Sequence, residues 1–498
     1  KERAALPTPA GAKRFRQNAG TITLIAVAVI LVVLILWNSP VRYTATTAVS
    51  AGTHSYSPAD YNYYFNQLVN SDQTFMMYYY YGMVDPAKPL SQQQYTETQT
   101  WEEYFSEKVV NTLMELSMLY DAGKAEGYAV PTEGEDAPVP AATQIANLKS
   151  SSGAKDFDEY LSATYGKGMT EERLLSILDK SVFAFSYQSE LIKRQTDAMT
   201  DDVRDAKYNE VATDYDLTTF YEYKVVAELD PEVGTTTDAT RAAALDKVNA
   251  IAATHNAEMF GQAVYDLASE SEKETYRNLD ATRRDSVAPG ALNELYADWL
   301  KAAGRAEGDT EIFPEGDDYT VILFVERDKN QYHRSTFRDI VISVQAGEDG
   351  SYSTEASAEA KATAEQALSD WRNGDATEDT FATLANERSD NAQNSDGGLM
   401  SNAIKGNYAY ELEDWLFDTA RQPGDTEIIY VKSNSTPAYH VVYYVSAEEQ
   451  RYDRYIAENL ILSEYYNAWK TERVGEYATR KGFGYRFRAG LTPMTAAQ

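Results

Sequence analysis

The stretches ADWLKAAGRAEGDTEI, residues 297–312, and EDWLFDTARQPGDTEI, residues 413–428, agree at nine of sixteen positions without a gap. Within each, Trp299 or Trp415 and the Leu that follows place two large apolar side chains on one helical face. Gly308 or Gly424 then lets the chain reverse, and Asp-Thr-Glu-Ile leads into an extended segment. A module of this length repeated 116 residues apart signals a duplicated scaffold rather than a duplicated reaction.

The flanking sequence repeats in the same order. Before the first copy stand a strand pattern, TFYEYKVVAEL at 219–229, and an Ala-rich helix pattern, TRAAALDKVNAIAATH at 240–255. After it stands the apolar strand DDYTVILFVER at 317–327. The second copy is preceded by STFRDIVISV at 335–344 and EASAEAKATAEQALSDW at 355–371, and followed by AYHVVYYVS at 438–446. β-Branched and aromatic runs bounded by turn residues read as strands, and Ala-rich polar runs as helices. Two tandem domains follow, 217–330 and 331–448.

Upstream, 57–216 reads as helical. Ser57 is an N-cap before Pro58, with Asp60 in the first turn, and Tyr61, Tyr64, Phe65 and Leu68 follow the helical stripe. Thr100 and Glu103 form a capping box ahead of a second helix, and Gly123 marks its stop. A third helix starts at Thr170 and runs through 172–195, and 127–143, rich in Pro and Glu, is a surface loop. The four tyrosines Tyr78–Tyr81 follow Phe75, Met76 and Met77. They either pack the helical core or line a cradle for extended chains, since Tyr joins apolar area to a hydrogen-bonding tip. Residues 449–498 hold a last helix, with a mixed apolar face suited to folding back on the helical region, and a tail.

Charge separates the first residues from the rest. Lys1, Arg3, Lys13, Arg14 and Arg16 against Glu2 leave the first twenty residues at +4, so the remainder carries −36 of a total of −32. That acidity excludes a phosphate-tracking nucleic-acid binder, and suits solubility or basic and unfolded partners. The chain has no cysteine, which excludes disulfides and thiolate chemistry. His54, His255, His333 and His440 show no ligand spacing, and DNAQNSDGG from Asp390 departs from a calcium loop, so no metal and no cofactor is expected. No nucleophile elbow, zinc-protease motif or phosphate loop occurs.

Residues 21–37, TITLIAVAVILVVLILW, are uncharged and as a helix reach about 26 Å, near the lower limit of a membrane span. The basic residues before them predict a cytoplasmic tail at 1–20, a retained transmembrane anchor at 21–38, a polar stalk at 39–56 and an extracytoplasmic body, with cleavage after the small residues TAVSAG at 47–52 as the alternative.

From Ser335 to Ala447 the sequence resembles the parvulin family of peptidyl-prolyl isomerases. The matching features, in order, are FRDIVIS, FATLANERSD, the turn at Gly397-Gly398-Leu399, a helix ending in EDWLF, GDTEI, and YHVVYYV. With the helical region the whole looks like extracytoplasmic foldases of the SurA and PrsA type. The resemblance implies an α+β chain with an N-terminal transmembrane helix, an all-α chaperone region, two parvulin-like domains and a C-terminal helix. It also implies X-Pro isomerisation on unfolded or proline-containing secreted polypeptides. Of the family's polar cluster, His440 holds the last-strand histidine position, Asp339 replaces the first-strand histidine, and Asn391 with Asp390 beside it takes the place of a Cys or Asp. Met400, Tyr408, Leu412 and Phe417 fall on the apolar pocket positions. An Asp339–His440 couple puts an ion pair where the family has two rings, leaving an active isomerase and an inactive binding scaffold both open. In the first domain Tyr223 takes the first-strand position and Thr320 that of His440, which implies a degenerate domain without the polar cluster.

Overall fold

The computed structural model describes residues 27–28, 39–391, 396–432 and 436–488. The predicted basic tail and all but two residues of the predicted anchor lie outside these. Among the described residues no helix is long and apolar enough to cross a membrane. The chain divides into two compact units, one of residues 1–198 and 462–498, the other of 199–461.

The first unit is helical. Strands β1 (Val49–Ala51) and β2 (His54–Tyr56) are followed by α1 (Pro58–Ser71), α2 (Gln73–Tyr80), α3 (Trp101–Ala125), α4 (Ala141–Ser152), α5 (Phe157–Tyr165) and α6 (Glu171–Ala198). Ser57 caps α1, and its backbone N–H is answered by Asp60 in a reciprocal box. Thr100 and Glu103 do the same for α3. Such a cap satisfies orphan N–H groups and contributes about 1 kcal/mol. Trp101, Phe105, Phe75, Tyr61 and Tyr187 are fully buried and form an aromatic core. Gly123 does not stop α3. It lies inside the helix, where a Cβ would stand 2.8 Å from the Phe183 ring, so its absent side chain lets α6 approach.

Residues 39–56 are not a polar stalk. β1 and β2 form a hairpin with Ala48, Val49, Ala51 and Tyr56 buried. Two three-residue strands are too short to stand alone, and the third strand comes from the far end of the chain, as β1 also pairs with residues 479–481.

The second unit begins with α7 (Asp201–Tyr215), so the helical unit ends at Ala198 rather than at 216. α7 buries Tyr208 alone of its residues, in a small core shared with Ile456 and Ala457. The first repeat follows as β3 (Leu217–Val225), α8 (Asp238–Ala252), α9 (Ala257–Leu267), β4 (Arg283–Val287), α10 (Ala297–Lys301), β5 (Thr310–Glu315) and β6 (Asp318–Asp328). The second runs β7 (His333–Ser343), α11 (Thr354–Asn373), α12 (Glu378–Arg388), β8 (Leu399–Ala403), α13 (Tyr410–Leu416), β9 (Thr426–Val431) and β10 (Ala438–Arg451). The sheets are ordered β4-β3-β6-β5 and β8-β7-β10-β9, antiparallel throughout. Each therefore places its strands second, first, fourth, third. One face of each sheet is buried under two helices: Val248, Ile251 and Phe260 cover Tyr221 and Val321, and Ala364, Leu368 and Phe381 cover Ile340 and Val441. The other face is closed by the short Trp-Leu helix, whose Leu300 or Leu416 is fully buried.

The repeated module makes the same contacts twice. Gly308 (φ 86°) and Gly424 (φ 94°) turn the chain in the left-handed region, where a Cβ is costly. Their N–H groups donate to Phe324 O and Tyr444 O, each at 2.9 Å. Asp309 and Asp425 accept from the N–H three residues upstream at 3.0 and 2.9 Å. Arg305 and Arg421 stack their guanidinium groups on Trp299 and Trp415 at 3.9 and 4.2 Å, and each donates to that Trp's carbonyl.

The last helix, α14 (Tyr452–Arg473), begins in the second unit and ends in the first, ahead of β11 (Thr479–Lys481). Its Tyr466 and Trp469 are buried in the helical core, with the Tyr466 hydroxyl donating to Glu115.

Candidate functional site

Register decides which side chains share a face. β10 opposes β7 with Val442 across from Asp339 and His440 across from Val341. Side chains alternate between faces, so Phe337, Asp339, His440 and Val442 all point to the side closed by α13, and Ile340 and Val441 to the other. Asp339 and His440 are thus diagonal neighbours, within reach of two long side chains. The imidazole Nδ1 lies 2.8 Å from Asp339 Oδ2. A carboxylate oxygen facing a ring nitrogen at this distance accepts, so Nδ1 is the donor of the pair. The second carboxylate oxygen, Oδ1, is buried without a partner among the described residues, and so is an unanswered acceptor there.

The GG turn holds the carboxylate in place. Asp339 N–H donates to Gly398 O at 2.9 Å. Gly398 (φ 68°) passes so close that a Cβ would lie 2.3 Å from Asp339 O. Arg338, on the other face, donates to the carbonyls of Asp396 and Gly397 at 3.0 Å each and pairs with Glu378.

Beneath the couple lies the apolar cluster. Met400 opposes Phe337 across the β7–β8 pair, and the Tyr408 ring meets Phe337 edge-on with centroids 5.5 Å apart. Leu412 is buried. Burial first, then the charges of Asp339 and Glu413, raises the Tyr408 phenol above its ordinary range, so its hydroxyl stays a donor. Phe417 joins the cluster's far end, its ring 4.7 Å from Tyr332. There it lines a 460 Å³ cavity shared with Arg283 and Asp285 of the first repeat.

The other two polar candidates stand apart from the couple. Asp390 donates its N–H to Val341 O at 2.8 Å and accepts the Ser343 N–H at 2.7 Å, while Ser389 Oγ accepts the Val341 N–H at 3.0 Å. This Ser-Asp pair answers the β7 edge where β8 has ended. Asn391 is exposed, its N–H 3.4 Å from Ser389 Oγ.

Glu413, which no motif singled out, is buried, and its Oε1 accepts the N–H groups of Gly406 at 2.6 Å and Tyr408 at 3.1 Å. It therefore positions Tyr408. Burial raises its carboxyl above the usual range against those hydrogen bonds. Its one sequence signal is that the first repeat has Ala297 at this place in the module.

In the first repeat, Phe220 pairs with Phe324 as Phe337 pairs with Tyr444. The residue matching Asp339 is therefore Glu222, not Tyr223. A one-residue slip sends a side chain to the opposite face, and Tyr223 packs there, edge-on to Tyr276 at 5.4 Å. By the same register Arg284 stands for Met400, Tyr296 for Leu412 and Thr320 for His440. Tyr296 donates to Glu222 at 2.7 Å, and Arg284 pairs with the other carboxylate oxygen at 3.2 Å. This repeat thus has a polar cluster of its own, closed upon itself.

Residues 340–446 match the family model of the PPIC-type PPIase, or rotamase, domain, so the second repeat is of the parvulin type. The matched span begins one residue after Asp339 and includes His440. No curated protein matches the chain. Among solved structures, the foldase protein PrsA from Streptococcus pneumoniae is similar over 47% of this chain and 77% of that one, at 14% identity and a TM-score of 0.15.

Proposed function

We propose that this chain is an extracytoplasmic, membrane-anchored foldase that holds unfolded, proline-containing secreted polypeptides and isomerises their X-Pro bonds at the second repeat. The observation that carries the reading is the Asp339–His440 couple at the edge of the Phe337, Met400, Tyr408 and Leu412 cluster. Amide rotation faces a barrier of about 18–20 kcal/mol, and X-Pro exchange takes tens to hundreds of seconds. Lowering that barrier needs no nucleophile. It needs an apolar seat for the pyrrolidine ring and polar groups that favour the twisted amide over the planar one. A twisted amide gives up its carbonyl charge and turns its nitrogen into an acceptor. A carboxylate with an unanswered oxygen disfavours the planar dipole, and the Tyr408 phenol of the same cluster is a donor. Residues 21–37 supply the anchor.

Client capture is assigned to α2 and the turn after it. Tyr78 and Tyr79 pack against the helical core, while Tyr80 and Tyr81 are 84% and 66% exposed, beside exposed Met76, Met77 and Met83. A patch of flexible thioethers and aromatic rings adapts to many apolar segments.

A protease-coupled prolyl-peptide assay tests the catalytic part. The chain should accelerate isomerisation, and His440→Ala should lower kcat/KM by about 100-fold, the scale of a positioned polar group. Rates equal to the uncatalysed exchange, unchanged in His440→Ala, would leave a pure holdase. That second reading is favoured by the carboxylate of Asp339 where the family has an imidazole. Protease protection of the body in sealed vesicles, or its absence, tests the topology.

A further inference from the structure

Far along the chain from the parvulin pocket, within the helical unit, a lysine sits in a chain of hydrogen bonds whose directions can be worked out. Lys180 Nζ on α6 lies 2.9 Å from His54 Nδ1 and 2.8 Å from the Tyr56 hydroxyl. His54 Nε2 is 2.8 Å from Asp121 Oδ1, and the Tyr477 hydroxyl donates to the other oxygen of Asp121 at 3.0 Å. Ser117 Oγ donates to Leu113 O at 2.8 Å, and so accepts from Tyr56 at 2.6 Å. Tyr56 in turn accepts from Lys180. With Asp121 accepting from Nε2–H, His54 Nδ1 carries the lone pair that faces the amine. An ammonium has three N–H bonds, and two are engaged in this way.

Lys180 also lines two cavities at once. One, of 490 Å³, is bordered by Ser55, Thr170, Ser176 and the Asp60–Arg173 pair. The other, of 630 Å³, is bordered by Val130, Pro131, Pro138 and Phe183. The charged and titratable groups around the amine are His54, Tyr56 and Asp121, with the Tyr120 ring centroid 5.2 Å away and Asp60 acting at longer range, while Lys124, Glu172, Arg173 and Asp179 line the same two cavities. Burial lowers the ammonium to about 8, against the opposing pull of Asp121 and Asp60. A nucleophile beside a base, itself oriented by a third group, is the general layout of an activated side chain.

We propose that Lys180, with His54 as its base and Asp121 as the group that orients His54, is a reactive amine site for small hydroxylated aldehydes. The hydroxyls of Ser55, Thr170 and Ser176 suit the hydroxyl groups of such a molecule. In the reaction the ammonium passes a proton to His54 Nδ1, and the freed lone pair forms a C–N bond to the carbonyl carbon. The carbonyl π pair moves to oxygen, which takes the proton held by His54 and then a second one from nitrogen. Water leaves, and a protonated imine remains, so atoms and charge balance without an oxidant or reductant.

The full chain supplies its own controls, because Lys155 and Lys167 on the same unit are exposed. Glyceraldehyde is the probe, added at near-neutral pH with cyanoborohydride to trap the imine by reduction, and labelled lysines are read by peptide mapping after brief exposure. Lys180 should be labelled about 10-fold faster than Lys155 and Lys167, a gain in free amine partly offset by lower basicity. Asp121→Asn should slow Lys180 several-fold and leave the two reference lysines unchanged. Labelling of Lys180 no faster than the references overturns the proposal, and marks the network as a structural tie between the hairpin and α6. A fast Lys180 that is indifferent to Asp121→Asn overturns the relay. Should that variant lose its helical circular dichroism, the ratio within the unmodified chain decides alone.

Discussion

The two repeats share a chain path and differ in what they put on it. In both, the module's Gly, Asp, Trp, Leu and Arg make the same turn, the same stack and the same buried anchor. On the face that this module closes, the second repeat has Asp339, His440, Met400 and Leu412, and the first has Glu222, Thr320, Arg284 and Tyr296. Among the described residues, one set leaves a carboxylate oxygen unanswered over an apolar floor. The other joins its carboxylate to a phenol and a guanidinium. A duplicated fold therefore separates its scaffold residues from its pocket residues within a single chain, with each copy the control for the other.

The largest effects should fall equally on both copies. Leu300→Ala and Leu416→Ala each remove a fully buried side chain, and each should cost about 2–5 kcal/mol. Hydrogen exchange of the β6 and β10 amides would show this, and a large inequality would break the equivalence. The two turn glycines should then part company. A Cβ on Gly308 would meet His255 O at 2.4 Å, whereas one on Gly424 meets only the Tyr443 hydroxyl at 3.9 Å. Gly424→Ala should cost about 1 kcal/mol for its backbone alone, and Gly308→Ala clearly more, measured by the same exchange.

A smaller effect tests the stacks. Double-mutant cycles on Trp299 with Arg305 and on Trp415 with Arg421 should each return about 0.5–1 kcal/mol. Agreement between the two cycles would extend the equivalence to the surface of the module. The smallest effect separates the copies by pH. Because burial holds Glu413 above its usual range, the folded chain binds this proton more tightly than the unfolded one. That contribution to stability is complete below the ordinary glutamate value, about 4.3, and is lost as pH rises through the higher folded value. Urea unfolding of Glu413→Gln should therefore gain on the unaltered chain as pH rises from 4 towards 7. Parallel curves would remove the charge cost assigned to this site.

Several features were legible residue by residue. Ser57 and the Thr100–Glu103 box stand where their helices begin, because a cap is settled within four residues. The strands around each module follow their β-branched runs, and the Asp339–His440 contact lies on two positions that the parvulin resemblance had marked. Others were hidden. Gly123 has the look of a helix stop, and the Phe183 and Tyr187 rings from a helix some sixty residues away explain it. The hairpin at 49–56 reads as polar linker until a strand from 479–481 covers it. Glu222 and Tyr223 are neighbours of equal, intermediate burial at the end of a run buried on both faces, so the strand's own pattern does not set its register.

By itself the sequence determined the helices and their caps, the duplication with its shared turn, and the parvulin character of the second copy. Each of these is written in near-neighbour chemistry: side-chain period, capping hydroxyls, and a glycine where φ is positive. The tertiary structure alone decided which face each strand residue occupies, which carboxylate meets which partner, and which terminal strand completes the small sheet. Those contacts join residues far apart in the chain, 62 positions for Glu222 and Arg284 and 101 for Asp339 and His440, and a local pattern carries no energy term for a partner that has not yet arrived.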